Sequence, residues 1–126
     1  MDEGVKAMGT LPIAARSAIP AAMIVAAERL LALLAAGDAA GTAALAAPSG
    51  AAEVAAVAAA SAAVGRFDRY EIIATARINY HYYVKARLYG AEARTFTLQF
   101  RMGEEAGEWR VWEAMNLTGK RGAWAR

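Results

Sequence analysis

Apolar and polar residues alternate with period two through the last third of the chain. Four such runs follow one another, at about positions 70–78, 80–89, 95–102 and 108–117. This alternation is typical of strands with one buried face, and short connections between the runs favour an antiparallel meander. Gly90 and the segment 103–107 mark two of the turns. The first boundary lacks Gly and Pro, so we expect the chain to turn at Asn79, which tolerates a left-handed backbone.

The pattern before residue 65 has helical spacing instead. Apolar residues recur three and four positions apart between 23 and 34, and Gly37 and Asp38 follow them. Glycine is common just after a helix and aspartate is a common N-cap, so one helix ends here and a second is expected over 39–47. A third helix is predicted over 51–64, where almost every residue is alanine.

Helices followed by a meander predict an α+β fold, in which N-terminal helices pack in the concave face of a curved antiparallel β-sheet. We expect one domain over residues 21–126, because 126 residues are enough for a single core. Residues 1–20 are predicted to be an N-terminal extension that docks on an apolar surface.

Composition removes several classes of chemistry. The chain has no cysteine and only one histidine, His81, so disulfides and a multi-histidine zinc site are excluded within one chain. It also lacks a phosphate-binding loop and a dinucleotide fingerprint. We therefore expect neither a metal nor a cofactor. The net charge is +2, and residues 66–126 alone carry net +4.

The most apolar segment, over 11–36, does not have the pattern of a membrane span. Pro12, Arg16 and Pro20 interrupt it, and a span needs about 20 continuous apolar residues. We expect a cytoplasmic protein without membrane contact, although a secreted or periplasmic location stays open.

Two short motifs resemble a known superfamily. The run 26–38, an amphipathic helix ending in Gly-Asp, and the run Gly-Glu-Trp-Arg-Val-Trp at 107–112 resemble the nuclear transport factor 2-like (NTF2-like) superfamily. That superfamily includes ketosteroid isomerase and the SnoaL-type cyclases. The resemblance covers about residues 22–117 and implies a cone-shaped α+β fold with an apolar pocket. Members of the superfamily are isomerases, dehydratases, hydrolases, ligand binders or dimeric adaptors. The alanine-rich helices depart from the pattern, because they lack the aromatic residues that often line such a pocket.

Strand parity predicts which side chains line the pocket. We expect the protein to bind a small apolar molecule there and to form a homodimer through its sheet. The predicted ligand contacts all have inward parity: Tyr70, Tyr80, Tyr82, Phe96, Phe100, Trp109 and Met115.

Glu113 has the same parity as its apolar neighbours in the last run. A carboxylate on an apolar face would be desolvated, and its raised pKa would suit a general acid or base. The alternative function is therefore an isomerase, cyclase or hydrolase in which Glu113 moves a proton. The resemblance implies that Tyr80 or Tyr82 would stabilise charge in such an enzyme. A bulge near Trp112 would instead turn Glu113 outward, and the sequence leaves this open.

The opposite face of the sheet has a basic and aromatic pattern. Such a face suits single-stranded nucleic acid, and it equally suits a solvated or dimer-forming surface, which we favour. Three neutral residues on the third run, Thr95, Thr97 and Gln99, reduce the basic character and make nucleic-acid binding the less favoured alternative. The residues expected on this face are His81, Tyr83, Lys85, Arg87 and Tyr89, with Arg77, Arg101 and Arg110 beside them.

Overall fold

A computed structural model describes residues 19–118, so the predicted extension over 1–20 lies almost wholly outside the described residues. Three α-helices precede four strands. The helices are α1 (Ala21–Ala36), α2 (Ala39–Ala43) and α3 (Ala51–Val64), with a 3₁₀ turn at Pro48–Gly50. The strands are β1 (Arg69–Ile78), β2 (His81–Tyr89), β3 (Thr95–Glu105) and β4 (Glu108–Asn116), with a 3₁₀ turn at Ala91–Ala93 between β2 and β3.

The helix boundaries follow the predicted signals, with one exception. Gly37 ends α1 in a left-handed conformation (φ 76°), and the Asp38 side chain accepts a hydrogen bond from the Gly41 amide at 2.8 Å. The second helix is shorter than expected. It stops at Ala43 because the next residues pair with β4: the Val111 amide donates to Leu45 O, and the Ala47 amide donates to Val111 O.

The four strands form one antiparallel sheet in the order β1-β2-β3-β4, as the meander predicted. Asn79, with φ 58°, turns the chain from β1 into β2 at the expected position. The β3–β4 turn is tighter than predicted and consists of Ala106 and Gly107, both with positive φ. Two-residue hairpin turns of this kind match the twist of the flanking strands.

One face of the sheet and the inner faces of α1 and α3 form the core. Phe96, Leu98, Phe100 and Met102 of β3 are almost completely buried against the helices. The inward parity predicted for β2 and β3 is thereby confirmed. The helices contribute seven of the hydrophobic core residues that are at most 4 % exposed: Met23, Ala27, Leu30, Leu31, Leu34, Val54 and Val57.

Two β-bulges change the parity of the outer strands. In β1 the register shifts at Ile73, between Ile72 opposite Ala86 and Ala74 opposite Lys85. Strict alternation from the inward Tyr70 would also place Ala76 and Ile78 inward. That expectation was wrong, because the extra residue exchanges the two faces.

The second bulge lies in β4. Val111 pairs with Met102 and Glu113 pairs with Arg101, so Trp112 is the extra residue. Bulges bend strands and increase their twist, and these two lie on the two edge strands of the curved sheet.

The two edges of the sheet differ in whether other elements cover them. The segment around Ala46 forms a parallel bridge with Val111, and Glu53 of α3 accepts a hydrogen bond from the Ala114 amide at 2.9 Å. The helical layer therefore covers the free edge of β4. Within residues 19–118, no strand pairs with the outer edge of β1. No helix in the same range is long and apolar enough to cross a membrane.

Candidate functional site on the outer face of the sheet

The helix-facing side of the sheet is filled with side chains where a ligand pocket was predicted. Phe96 and Phe100 are each 1 % exposed, and Tyr82 is buried with its ring against Trp109 at 5.6 Å between centroids. All four residues lie on this face as expected. They pack with α1 and α3 into the core and with one another.

Tyr70 lies on the same face, near the start of β1, and is half-buried. Burial raises the pKa of its hydroxyl, and the negative charge of Glu28 on α1 raises it further. Both effects keep the phenol neutral and able to donate a hydrogen bond.

Three of the predicted inward residues do not face the helices. Tyr80 lies in the β1–β2 turn and is 88 % exposed, because the turn begins at Asn79 and leaves the next residue outside the ladder. The bulge at Trp112 turns both Glu113 and Met115 to the outer face. The prediction of an apolar environment for Glu113 was wrong for this reason.

These positions also separate the residues of the predicted enzyme. Glu113 is on the outer face and Tyr82 is on the helix-facing side, so the sheet lies between them. The exposed Tyr80 is in a turn at the end of the sheet. The structure therefore does not bring the three groups together.

On the outer face, the register aligns side chains in rows across the strands. One row contains Ala76, Tyr83, Arg101 and Glu113. The next row contains Ala74, Lys85, Gln99 and Met115. The prediction that β2 presents its basic and aromatic residues here is confirmed, and Arg101 and Arg110 accompany them. Arg77 does not, because the β1 bulge places it opposite Tyr82.

Arg101 connects two other side chains in the first of these rows. Its Nη2 lies 3.0 Å from Glu113 Oε2, and its Nη1 lies 2.6 Å from His81 Nδ1. Since a guanidinium only donates, His81 accepts at Nδ1 and is neutral. Burial lowers the pKa of His81, the charge of Arg101 lowers it further, and Glu113 opposes both.

Gly103 leaves room for this cluster. The His81 ring lies 5.5 Å from the Trp112 ring, centroid to centroid, in a tilted arrangement above Gly103. A Cβ atom at Gly103 would lie 2.8 Å from His81 Nε2 and 3.0 Å from Trp112 Nε1. The absence of a side chain here lets the two rings lie close to the strand.

Three polar atoms of the outer face are buried without a hydrogen-bond partner in the described part of the chain. They are Gln99 Oε1, Arg101 Nε and Trp112 Nε1. An unpaired buried polar group costs about 1–3 kcal/mol, so three of them on one face are informative.

A pocket of about 290 Å³ opens on this face and reaches over the edge of β4 to α3. Its wall includes both a charged part and an apolar part. Glu53 is held in the wall by the hydrogen bond from the Ala114 amide. The residues lining it are Glu53, Tyr83, Gln99, Phe100, Arg101, Glu113, Ala114 and Met115.

A larger groove of about 380 Å³ lies between the three helices, and its walls are nearly all alanine. Its two polar side chains are already engaged: Ser61 Oγ donates to Ala58 O, and Asp38 caps α2. The outer pocket is therefore lined by more charged and polar side chains than the helical groove.

Other basic residues of the outer face are paired with neighbours. Arg87 Nε donates to Thr97 Oγ1 at 2.9 Å, and the Arg69 guanidinium lies 4.0 Å above the Tyr89 ring. Tyr89 in turn donates to Glu71 at 2.8 Å. These contacts leave fewer donors and ring faces for phosphates and bases, so they do not favour the nucleic-acid alternative.

Sequence reasoning missed Glu53 and assigned no role to Gln99. Glu53 reaches the site from a helix, and strand parity carries no information about a residue on another layer. The signal available for it was its isolation, as the one charged residue in an alanine-rich helix. Within residues 19–118, no group of three or more His, Asp or Glu side chains could hold a metal ion.

The fold belongs to the α+β class and has a curved four-stranded antiparallel sheet. No family model matches the chain, and no curated protein matches it. A solved structure described as a de novo designed protein with a curved β-sheet is similar, with a TM-score of 0.55 and 16 % sequence identity. The match covers 73 % of this chain and 95 % of the designed chain, and at this identity it supports the fold alone.

Proposed function

We propose that this chain is an NTF2-like domain that acts as a binding module and forms a homodimer through the outer face of its sheet. The supporting observation is the apolar surface exposed on that face, at Met115 and Ile78. A second copy placed against the face removes this apolar surface from water.

Apolar contact supports the same surface. Met115 and Ile78 are 54 % and 55 % exposed on the outer face, where the two bulges place them. A standard interface buries about 800 Å² on each partner, which is a modest part of the 6804 Å² surface of the molecule. The face combines half-buried aromatic rings and exposed apolar groups, which suit an interface core, with paired charges, which suit its polar rim.

The role of a pocket for a small apolar molecule inside the sheet has less support. Phe96, Phe100 and Met102 fill the helix-facing side together with residues of α1 and α3. A ligand there would have to displace packed core side chains, at a cost of the order of several kcal/mol.

Light scattering after size exclusion tests the dimer. A chain of 13.3 kDa should elute with about twice that mass at micromolar concentration. Met115→Lys should return the mass to that of a monomer, because it buries a charge in the proposed interface. Val25→Lys is the matched control, because Val25 is a 66 % exposed residue of α1 outside the sheet.

A monomeric mass for the unmodified protein up to about 100 μM would contradict the proposal, since stable homodimers of this size bind more tightly. Equal dissociation by Met115→Lys and Val25→Lys would place the interface elsewhere. Circular dichroism spectra of both variants should overlay that of the parent, which shows that neither change acts through unfolding.

A further inference from the structure

We propose that the groove between the three helices is the docking site of this chain's own N-terminal segment, residues 1–18. The groove has a volume of about 380 Å³, and none of its lining residues belongs to the sheet. The docking is therefore independent of the dimer proposed for the outer face of the sheet. It identifies the apolar surface on which the N-terminal extension is expected to dock.

The walls of the groove are apolar and consist of small residues. Apart from Leu34 and Asp38, every residue of the lining is glycine, alanine or serine. Facing layers pack best when small residues on one side meet large residues on the other. The occupant therefore has to supply the large apolar side chains. Six exposed alanines line the groove, three on α2 and three on α3: Ala39, Ala40, Ala43, Ala55, Ala59 and Ala62.

The side of α3 in the groove has the composition of a covered surface. Twelve of the fourteen residues of this helix are alanine or valine. A helix at the surface normally carries charged and polar residues on its outer side, and a helix that is apolar on nearly all sides is normally covered. The one polar side chain that α3 contributes to the groove, Ser61, already donates to Ala58 O at 3.1 Å.

The charges around the groove do not favour a strongly basic or strongly acidic occupant. Asp38 is the only charged residue of the lining, and Arg66 lies near the same end, because a Cβ atom at Gly37 would be 3.8 Å from Arg66 Nε. These two charges sum to zero. Residues 119–126 contain three basic residues and no acidic one, whereas residues 1–18 contain two of each. Of these two segments, the N-terminal one is the better match.

The apolar residues of the N-terminal segment complement the alanine walls. Residues 119–126 have a single large apolar residue, Trp124, and residues 1–18 have five. Large side chains entering a groove lined by alanine bury apolar surface on both partners, which is the main favourable term in such an association. The five large apolar residues are Met1, Val5, Met8, Leu11 and Ile13.

The segment is long enough to reach the groove. It precedes α1, and the groove lies at the other end of that helix, at Leu34 and Gly37. The 16 residues of α1 span about 24 Å at about 1.5 Å per residue. About seven extended residues cover that distance at about 3.3–3.6 Å each. Residues 12–18 would therefore run beside α1, and residues 1–11 would reach the groove.

Attachment to the same chain makes weak binding sufficient. A segment on a short flexible linker has an effective concentration of the order of 1 mM at its site. The burial of two or three large apolar side chains is enough for an intrinsic Kd of about 0.1 mM. At that ratio the segment would be docked about nine-tenths of the time.

Thiol reactivity in the full chain tests the docking, because the chain has no cysteine of its own. Ala59→Cys places a thiol in the groove. Ala56→Cys is the matched control, because Ala56 is an exposed residue of the same helix that does not line the groove. Each variant is made with the parent segment and with the double substitution Met8→Asp and Leu11→Asp, whose added charges oppose burial.

The thiol of the Ala59→Cys variant should react with a soluble disulfide reagent about tenfold faster when the double substitution is present, because only the undocked tenth reacts in the parent. The thiol of the Ala56→Cys variant should react at one rate in both backgrounds. Ala14→Asp with Ala15→Asp adds the same two charges outside residues 1–11, so it should leave both rates unchanged.

A free peptide of residues 1–18 provides a second measurement. At about 1 mM it should slow the Ala59→Cys reaction about tenfold in the Met8→Asp and Leu11→Asp background, by occupying the vacated groove. It should not slow the Ala56→Cys reaction. Circular dichroism spectra of all variants should overlay that of the parent.

Equal Ala59→Cys rates in the two backgrounds would overturn the proposal, as would equal acceleration at Ala56→Cys. Protection that rises with protein concentration would assign the groove to a second copy and would also overturn it, since docking within one chain does not depend on concentration. Light scattering reports the mass independently. A monomer with a protected groove contradicts only the dimer, and a dimer with an unprotected groove contradicts only the docking.

Discussion

The two faces of the sheet are built from the same strands. They differ in how many buried polar atoms lack a hydrogen-bond partner and in how much apolar surface is exposed. On the helix-facing side, Phe96 and Phe100 are 1 % exposed, and one buried polar atom there, Thr75 Oγ1, has no partner in the described chain. On the outer side, three polar atoms are buried and unpaired, and two large apolar side chains are more than half exposed.

Because of this difference, we expect the helix-facing side to determine stability and the outer side to determine association. The helix-facing side excludes water and has few unmet hydrogen bonds, which is what a core requires. The outer side has large apolar side chains exposed to water, and the proposed dimer would bury them. Substitutions on the two sides should therefore have separable effects on unfolding and on binding.

The largest expected effect is on the helix-facing side. Phe100→Ala should lower the free energy of unfolding by about 3–5 kcal/mol, because it removes a buried ring and leaves a cavity. Met115→Ala, in the neighbouring row and on the outer face, should cost less than about 1 kcal/mol, because that side chain is 54 % exposed. Urea denaturation followed by circular dichroism measures both.

If both variants lost the same stability, the outer face would be part of the core and the comparison would fail. The m-value should stay constant in both, since neither change alters the surface exposed on unfolding.

An intermediate effect is expected where the outer face is packed most tightly. Gly103→Ala should cost about 1–3 kcal/mol, because the new methyl group would contact His81 Nε2 and Trp112 Nε1 at 3.0 Å or less. The cost should fall in a His81→Ala background, where the ring is absent. A double-mutant cycle from urea titrations measures this coupling.

Additive costs for Gly103→Ala and His81→Ala would show that the penalty arises from the backbone instead of the ring contact. The aromatic pair would then have no role in fixing the outer face.

The smallest effect is a pH dependence of stability. The pKa of His81 is lowered below 6.5 in the folded protein, first by burial and then by Arg101, so the unfolded chain binds the proton first as pH falls. The contribution of His81 is therefore complete above about pH 6.5 and is lost below it. The free energy of unfolding should therefore fall as the pH drops below about 6.5.

His81→Gln should flatten this slope, because glutamine can accept from Arg101 and does not titrate. Carboxylates contribute equally to both proteins, so the difference between the two curves isolates His81. Parallel curves would mean that His81 is as easily protonated in the folded state as in the unfolded one.

Much of the fold could be predicted from local signals in the sequence. The alternation of β2 and β3, the helix end at Gly37 and the turn at Asn79 each depend on a few neighbouring residues. Their physical causes are local, so the sequence carries them directly. The prediction of an α+β fold with a curved antiparallel sheet is confirmed.

The site could not be predicted as well, because two single-residue bulges decide it. Ile73 and Trp112 each exchange the two faces of a strand, and neither is marked by glycine or proline. Bulges arise from the closure of the whole sheet against the helices, so local patterns do not reveal them. The inward assignments of Met115 and Glu113 were wrong for this one reason.

The cover over β4 also bears on how this protein behaves when it is concentrated. The bridge at Ala46 and the Glu53 contact with Ala114 occupy the hydrogen-bonding edge of that strand, while no strand in residues 19–118 occupies the edge of β1. A sheet with a single free edge can be extended only once. When two β1 edges pair with each other, neither molecule has a free edge left. Association through the β1 edges alone would therefore stop at pairs, and extending the same sheet further would first require the helical layer to detach from β4.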